Sequence, residues 1–224
     1  VMNTTVAFLA QTLAIFMGFF TRVVFTRTLS EGYVGINGLF TDILNILSLS
    51  ELGVGTAITY ALYAPIARRD IKKQQILMRM FRNFYRITAG FVVLAGLCLI
   101  PFLDILMKDR PDVNHLIIIY LLYLLNSVVS YLLIYKKTLV DAHQMNYITV
   151  MYHNGFLVLQ DILQIMVLFL TRNFILFLVI AVVCTIIGNI CMSRKADRLF
   201  PYLKEPCKEQ LPQEERHDIL RNVK

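Results

Sequence analysis

Two acidic side chains stand near the centres of segments that are otherwise apolar. Glu51 lies in SLSELGVGTAITYALY (residues 48–63), and Asp161 lies in the run from 148 to 170. A carboxylate inside a bilayer is costly unless it meets water or a partner, so such residues mark ion or substrate pathways. We therefore interpret Glu51 and Asp161 as lining a cavity or forming a charge pair. A purely structural pair between Arg22 and Glu51 is the alternative.

Polar residues follow one helical face on three of the apolar segments. At about 100° per residue, Gln11 aligns with Arg22 on the first segment, while Arg27 points nearly opposite. Such faces can enclose a wet cavity, but small and polar residues also hold helices together, and a histidine can be a hydrogen-bonded interior residue. The residues predicted to line a cavity are Gln11, Ser48, Glu51, Gly55, Thr59, His153, Gln160, Asp161 and Gln164.

The sequence carries no pattern typical of an enzyme. It has no glycine-rich phosphate loop, no HExxH and no nucleophile beside a base. Asp141 and His143, in VDAHQMNY, are interpreted as hydrogen-bonding groups at a helix end. The four cysteines show no zinc-ligand spacing with histidines, so we interpret them as small apolar residues. We expect no catalytic residues, no metal and no cofactor.

The segments that hold these residues have the composition of transmembrane helices. Hydrophobic residues make up 57% of the chain and charged residues 17%, and the mean hydropathy is +0.62. An ordinary globular domain is less apolar, and a helix needs roughly 20 apolar residues to cross a bilayer. We predict an all-α, polytopic membrane bundle of six transmembrane helices, at about 5–28, 36–63, 86–104, 115–136, 148–170 and 174–193.

The basic residues lie mainly in the connections on one side of these spans. The connection after the second span holds many arginines and lysines and a single acid, Asp70, and further basic residues follow the fourth and sixth spans. Since cytoplasmic loops are enriched in Lys and Arg, we expect both ends of the chain to be cytoplasmic. The net charge of +7 then belongs to loops, which favours membrane lipids as partners and no nucleic acid.

Two segments differ in composition from the spans. Basic residues alternate with apolar ones over 65–86, which predicts a cytoplasmic helix on the membrane surface. We expect residues 1–200 to form the transmembrane bundle and 201–224 a charged cytoplasmic tail. The chain opens Val-Met and stops within a new helical pattern. We therefore expect a fragment whose tail leads to a missing C-terminal bundle or second subunit.

One long stretch resembles a known family. It is TRVVFTRTLSEGYVGINGLFTDILNILSLSELGVGTAITYALYAPIARRD, with an LYxP-type end of the second span at Leu62–Pro65 and a later YKKTLVDAHQMNYI. These motifs are similar to the amino-terminal part of polysaccharide and O-antigen flippases, which belong to the multidrug/oligosaccharidyl-lipid/polysaccharide exporter superfamily. The resemblance extends over essentially all six spans. It implies one of the two pseudo-symmetric bundles of an exporter-type fold.

The resemblance implies a transporter of the bacterial cytoplasmic membrane that serves polysaccharide or lipopolysaccharide synthesis. It would flip undecaprenyl-diphosphate-linked oligosaccharide to the outer leaflet by alternating access. Arg22 and Arg27 match first-helix arginines that bind the diphosphate in related lipid flippases, and a guanidinium suits that anion. Two alternatives remain: a cation-coupled multidrug exporter that uses Glu51 and Asp161, and an integral membrane transferase or assembly scaffold.

Overall fold

The computed structural model describes residues 2–48, 54–103, 107 and 115–204. Within these residues all regular structure is helical, which confirms the all-α prediction for this part of the chain. The α-helices of the described part are α1 (Met2–Thr28), α2 (Glu31–Ser48), α3 (Val54–Ala67), α4 (Ile71–Leu99), α5 (Leu116–Leu132), α6 (Ile134–Ala142), α7 (Asn146–Thr171) and α8 (Phe174–Leu199), and short 3₁₀-helices cover Ile100–Phe102 and Pro201–Lys204.

Several of these helices are long and apolar enough to cross a membrane. In the described ranges, α1, α4, α7 and α8 meet this test, and α5 with α6 adds a fifth span if the pair, bent by 41°, counts as one. Their outer faces carry large apolar side chains; Phe8 is 69% exposed and Ile87 is 73% exposed. Water-soluble proteins rarely expose such extensive apolar surface. The helices therefore indicate a membrane-embedded protein.

The predicted second span, 36–63, falls on two helices. α2 ends at Ser48 and α3 begins at Val54, and the residues between them lie outside the described part of the chain. For this reason the span does not count among the long apolar helices. α3 ends at Ala67, just after Pro65. Asp70 then lies at the N-terminal cap of the next helix.

α4 joins the basic segment to the third predicted span in one continuous helix. The Asp70 carboxylate caps its start by accepting a hydrogen bond from the Lys73 amide (3.0 Å). The structure has no helix boundary near residue 86, where the surface helix was expected to end. A helix of 29 residues is roughly 44 Å long, whereas the hydrocarbon core is about 30 Å thick. The basic half of α4 therefore extends beyond the apolar half.

Two clusters of buried apolar side chains lie at opposite ends of the bundle. The first includes Phe40 on α2 and Leu178 near the start of α8, and the second includes Leu62 on α3 and Met192 toward the end of α8. Along α8 the two clusters are roughly 21 Å apart. α2 therefore packs in one cluster and α3 in the other.

Each long helix packs against particular neighbours. α7 lies against both α1 and α8, α8 also lies against α5, and α5 lies against α4. Glycine permits close approaches between the described helices: Gly96 of α4 faces Leu124 of α5, and Gly188 of α8 faces Phe156 of α7. The Tyr120 hydroxyl on α5 also donates to the Gly96 carbonyl oxygen (2.8 Å).

Candidate functional site

Polar side chains bond α1 to α7. Asn154 is only 1% exposed, and its Nδ2 donates to Gln11 Oε1 at 2.8 Å. Further along, the Asp161 carboxylate interacts with the buried Thr21 hydroxyl, and Gly18 leaves room beside Asp161 Oδ2. The predicted cavity residues Gln11 and Asp161 thus take part in the contact between two helices. Asn154 was not selected from the sequence, although asparagine in an apolar helix is a recognisable signal.

Arg22 lies at the edge of this contact and is exposed. Its guanidinium carbon is 5.5 Å from the centre of the Phe25 ring, and its charge acts on the Tyr123 hydroxyl of α5. That hydroxyl donates to Asn37 Oδ1 on α2 and also interacts with Thr41. We call Arg22, Asn37, Thr41 and Tyr123 the Arg22 cluster. It combines one cation from α1 with neutral hydrogen-bonding groups from α2 and α5.

Arg27 does not share the position of Arg22. It is exposed in the last turn of α1, and five residues along a helix turn its direction by roughly 140°. The two arginines therefore point to different sides of α1, as the helical phase predicted. An anion bound at the Arg22 cluster would therefore not contact Arg27 from the same face of α1.

The polar residues predicted on the second span are described only in part. Glu51 lies outside the described residues. Ser48 ends α2 and Gly55 lies in the first turn of α3, but the structure describes no side-chain surroundings for these two positions. Thr59 is half-buried on α3. The pairing of Arg22 with Glu51 accordingly stays a prediction.

A cavity of about 210 Å³ opens between α5, α6, α7 and α8. His153 and Gln160, both predicted cavity residues, line it together with Lys137 and Thr149. Apolar side chains, among them Leu133, Phe156 and Leu157, form part of its walls, and Ser130, Thr185 and Asn189 add further polar groups, so the lining is mixed. We call this space the Lys137 cavity. It lies on a different set of helices from the Arg22 cluster.

Gln164 does not line the Lys137 cavity. Its side chain is buried, and Nε2 donates to the Phe177 carbonyl oxygen at 3.0 Å. Phe177 is in the first turn of α8, where helical carbonyls already bond within the helix. The amide therefore holds α7 to the start of α8. The predicted polar stripe of α7 thus divides between the cavity, the contact with α1 and this bond.

Lys136 and Lys137 have different surroundings although they are neighbours. Lys136 Nζ bonds Asp197 Oδ1 and Ser193 Oγ, both at 2.8 Å, whereas Lys137 lines the cavity. From the sequence, both lysines belong only to the basic residues that follow the fourth predicted span. Since α6 continues through them, one turns toward α8 and the other toward the cavity. A helix prediction over 134–142 would have separated their directions.

Asp141 and His143 bond separate partners at the end of α6. The Asp141 carboxylate accepts a hydrogen bond from the Thr149 hydroxyl. His143 Nδ1 lies 3.0 Å from the Leu139 carbonyl oxygen, and its ring centre is 4.3 Å from that of Phe200. Both residues therefore make hydrogen bonds near the end of α6, and His143 also packs its ring against Phe200.

The described side chains present cationic hydrogen-bond donors to two regions of an apolar bundle, which is an arrangement suited to binding anions. Among the described residues, no group of three or more His, Cys, Asp or Glu side chains could hold a metal ion. Comparisons of the chain with protein-family models, with curated proteins and with solved structures found no match.

Proposed function

We propose that this chain forms one bundle of a transporter that flips undecaprenyl-diphosphate-linked oligosaccharide across the bacterial cytoplasmic membrane. The observation that supports this most is the exposed guanidinium of Arg22 on an apolar helix, next to the neutral donors and acceptors of the Arg22 cluster. An arginine is costly in hydrocarbon, so it marks a wet or anion-binding site. The resemblance of residues 21–70 to lipid-linked oligosaccharide flippases supplies the substrate class.

In this proposal Arg22 binds the diphosphate. Its planar fork of N–H groups donates to two phosphate oxygens and stays charged at every physiological pH. The Tyr123 hydroxyl lies close enough to Arg22 to reorient toward a bound anion, at the expense of its bond to Asn37. Glu51 would line the same cavity and would either pair with Arg22 or lie opposite it. Arg27 is a weaker candidate because it points to another side of α1.

Transport would require a second bundle that faces this one, either in the same protein or in a second subunit. Two bundles that rock about a central site expose it to each side of the membrane in turn. The lipid chain of the substrate would stay in the bilayer while the oligosaccharide passes through the wet space between the bundles. The exposed apolar side chains that flank Arg22 on α1, Phe19 and Phe20, suit that boundary.

We further propose that six spans place both ends of the chain in the cytoplasm. The positions of α2 and α3 in opposite apolar clusters support a crossing over 36–63. The basic connection around Arg68 and the Lys136–Asp197 pair both lie at the end of the second cluster. By the positive-inside rule that end faces the cytoplasm.

The test is complementation of a flippase-deleted bacterium with the full-length gene. Wild type should restore surface polysaccharide, and Arg22→Ala should reduce it about tenfold or more, because a charge-assisted hydrogen bond contributes about 1.5–3 kcal/mol. Arg22→Lys should retain part of the activity, and Arg27→Ala should retain more than Arg22→Ala. Membrane levels of all variants must match.

Two outcomes would count against the proposal at different levels. If wild type works and Arg22→Ala works equally well, the diphosphate site is wrong. If wild type restores no polymer in several acceptor strains, the flippase function itself is wrong, and a drug exporter or an assembly scaffold becomes the better account.

A further inference from the structure

We propose that the Lys137 cavity binds the phosphate of an anionic phospholipid. The site is separate from the Arg22 cluster, and it requires only that the protein be embedded in a membrane. It therefore stands or falls independently of the proposed transport of oligosaccharide.

One end of the cavity lies at the basic end of the bundle, where this proposal places the lipid headgroups. Of its lining residues, Met192 belongs to the apolar cluster at the basic end of the bundle, and Ile134 packs against that cluster. The exposed arginines of α4, among them Arg79 and Arg86, lie in the half of that helix which packs in the same cluster. Residues that follow Arg86 on α4, such as Ile87, are apolar and exposed. This change from charge to apolar surface marks the membrane interface.

The polar lining of the cavity suits a phosphate. Lys137 supplies a cation, and His153 and Gln160 supply further hydrogen-bonding groups on one face of α7. One acid, Asp141, interacts electrostatically with Lys137 and accepts a bond from Thr149. An ammonium has three N–H donors, so an interaction with Asp141 leaves donors for a phosphate oxygen. Lys136 differs in this respect, because Asp197 and Ser193 already bond its Nζ.

The apolar walls favour a lipid over free phosphate. Leu133, Phe156 and Leu157 line the same space as Lys137, and a bare inorganic anion gains nothing from such walls. A volume of about 210 Å³ accommodates a phosphate with its nearest carbons but not a whole lipid. The acyl chains would lie outside, against exposed apolar residues of α8 such as Val183 and Ile187.

The test measures lipid binding to the purified full-length protein by native mass spectrometry and by thermal unfolding in mixed micelles. The probes are phosphatidylglycerol, phosphatidylcholine and inorganic phosphate. Wild type should bind phosphatidylglycerol about tenfold more tightly than phosphatidylcholine, because both lipids carry the phosphate but the choline cation of phosphatidylcholine is repelled by Lys137. Lys137→Gln should remove this preference, and Lys137→Arg should keep most of it.

Lys72→Gln is the matched control. Lys72 is exposed near the start of α4 at the same basic end, and its replacement removes the same charge without altering the cavity. Equal loss of phosphatidylglycerol preference in Lys72→Gln and Lys137→Gln would overturn the proposal, because the effect would then be general surface charge. Stabilisation by inorganic phosphate but not by phosphatidylglycerol would overturn the assignment to a lipid.

Discussion

Gln74 joins three parts of the chain at the basic end of the bundle. It is only 4% exposed; its Nε2 donates to the Pro65 carbonyl oxygen at 3.2 Å and its Oε1 accepts from the Tyr202 hydroxyl at 2.6 Å. The neighbouring Gln75 donates to the Tyr202 carbonyl oxygen at 2.6 Å. These bonds hold the 3₁₀-helix after α8 against α3 and α4. A buried amide is costly when a partner is removed.

Tyr202→Phe should therefore destabilise the protein by about 1–3 kcal/mol, because Gln74 Oε1 would stay buried without a donor. Thermal or denaturant unfolding in detergent measures this difference. Tyr60→Phe is the control, since that residue is 73% exposed, and its effect should be close to zero. Equal stability of Tyr202→Phe and Tyr60→Phe would contradict the structural role of the bond.

The same bond predicts a dependence on pH. Burial raises the pKa of Tyr202 to about 12, whereas an unfolded tyrosine titrates near 10. The raised pKa means that the contribution to stability is complete below about pH 10 and is lost as pH rises toward 12. The difference in stability between wild type and Tyr202→Phe should thus shrink over that interval. A difference in stability that does not change with pH over that interval would contradict this prediction.

The polar residues show how far a single side chain can be assigned from sequence. Helical periodicity predicted that Gln11 and Arg22 share a face and that Arg27 points away. It did not indicate which neighbour that face meets, since the partner helix depends on tertiary packing. Gln11 meets Asn154, while Arg22 lies near Tyr123. Glu51, one of the two acids predicted to be costly to bury, lies outside the described residues.

At the level of elements, α4 and α5 make a close contact at Gly96. A Cβ at this position would lie 2.9 Å from Leu124 Cδ2 and 3.2 Å from its Cγ, and Leu124 is itself buried. The Tyr120 hydroxyl bonds the Gly96 carbonyl in the same place. Small residues allow this type of approach between membrane helices.

Gly96→Ala should therefore destabilise the bundle by about 1–3 kcal/mol, as overpacking does in well-packed cores. Gly90→Ala is the matched control on the same helix, because no heavy atom lies within 4 Å of a Cβ there. It should be neutral or slightly stabilising, since alanine favours helix by about 1 kcal/mol over glycine. Thermal unfolding in one detergent compares the two. The packing account fails if Gly96→Ala is as stable as Gly90→Ala.

Helix limits were predictable where the apolar pattern and the helix coincide. The predicted spans 5–28 and 148–170 differ from α1 and α7 by a few residues. α8 continues past the predicted span 174–193 to Leu199, because SRKADRL contains good helix formers and a helix need not end at the membrane surface. The boundary at residue 86 was predicted from charge alone. No glycine or proline interrupts the chain there, so α4 continues.

The whole molecule has cationic groups near both of its ends. Arg22 lies beside Phe25 of the first apolar cluster, and Lys137 lies beside Ile134 of the second. Composition predicted a membrane-embedded helical protein, and the apolar outer faces support that class. The position of α7 between α1 and α8 was not predictable, because each of those helices is apolar on most of its surface and periodicity does not select a neighbour.

The most direct measurement is translocation of lipid-linked oligosaccharide in vesicles that contain the purified full-length protein. Labelled substrate in one leaflet should reach the other faster than in protein-free vesicles, and Arg22→Ala should slow this about tenfold or more. Arg27→Ala should remain nearer to wild type. A wild-type rate equal to that of protein-free vesicles, with correctly inserted protein, would contradict the proposed function.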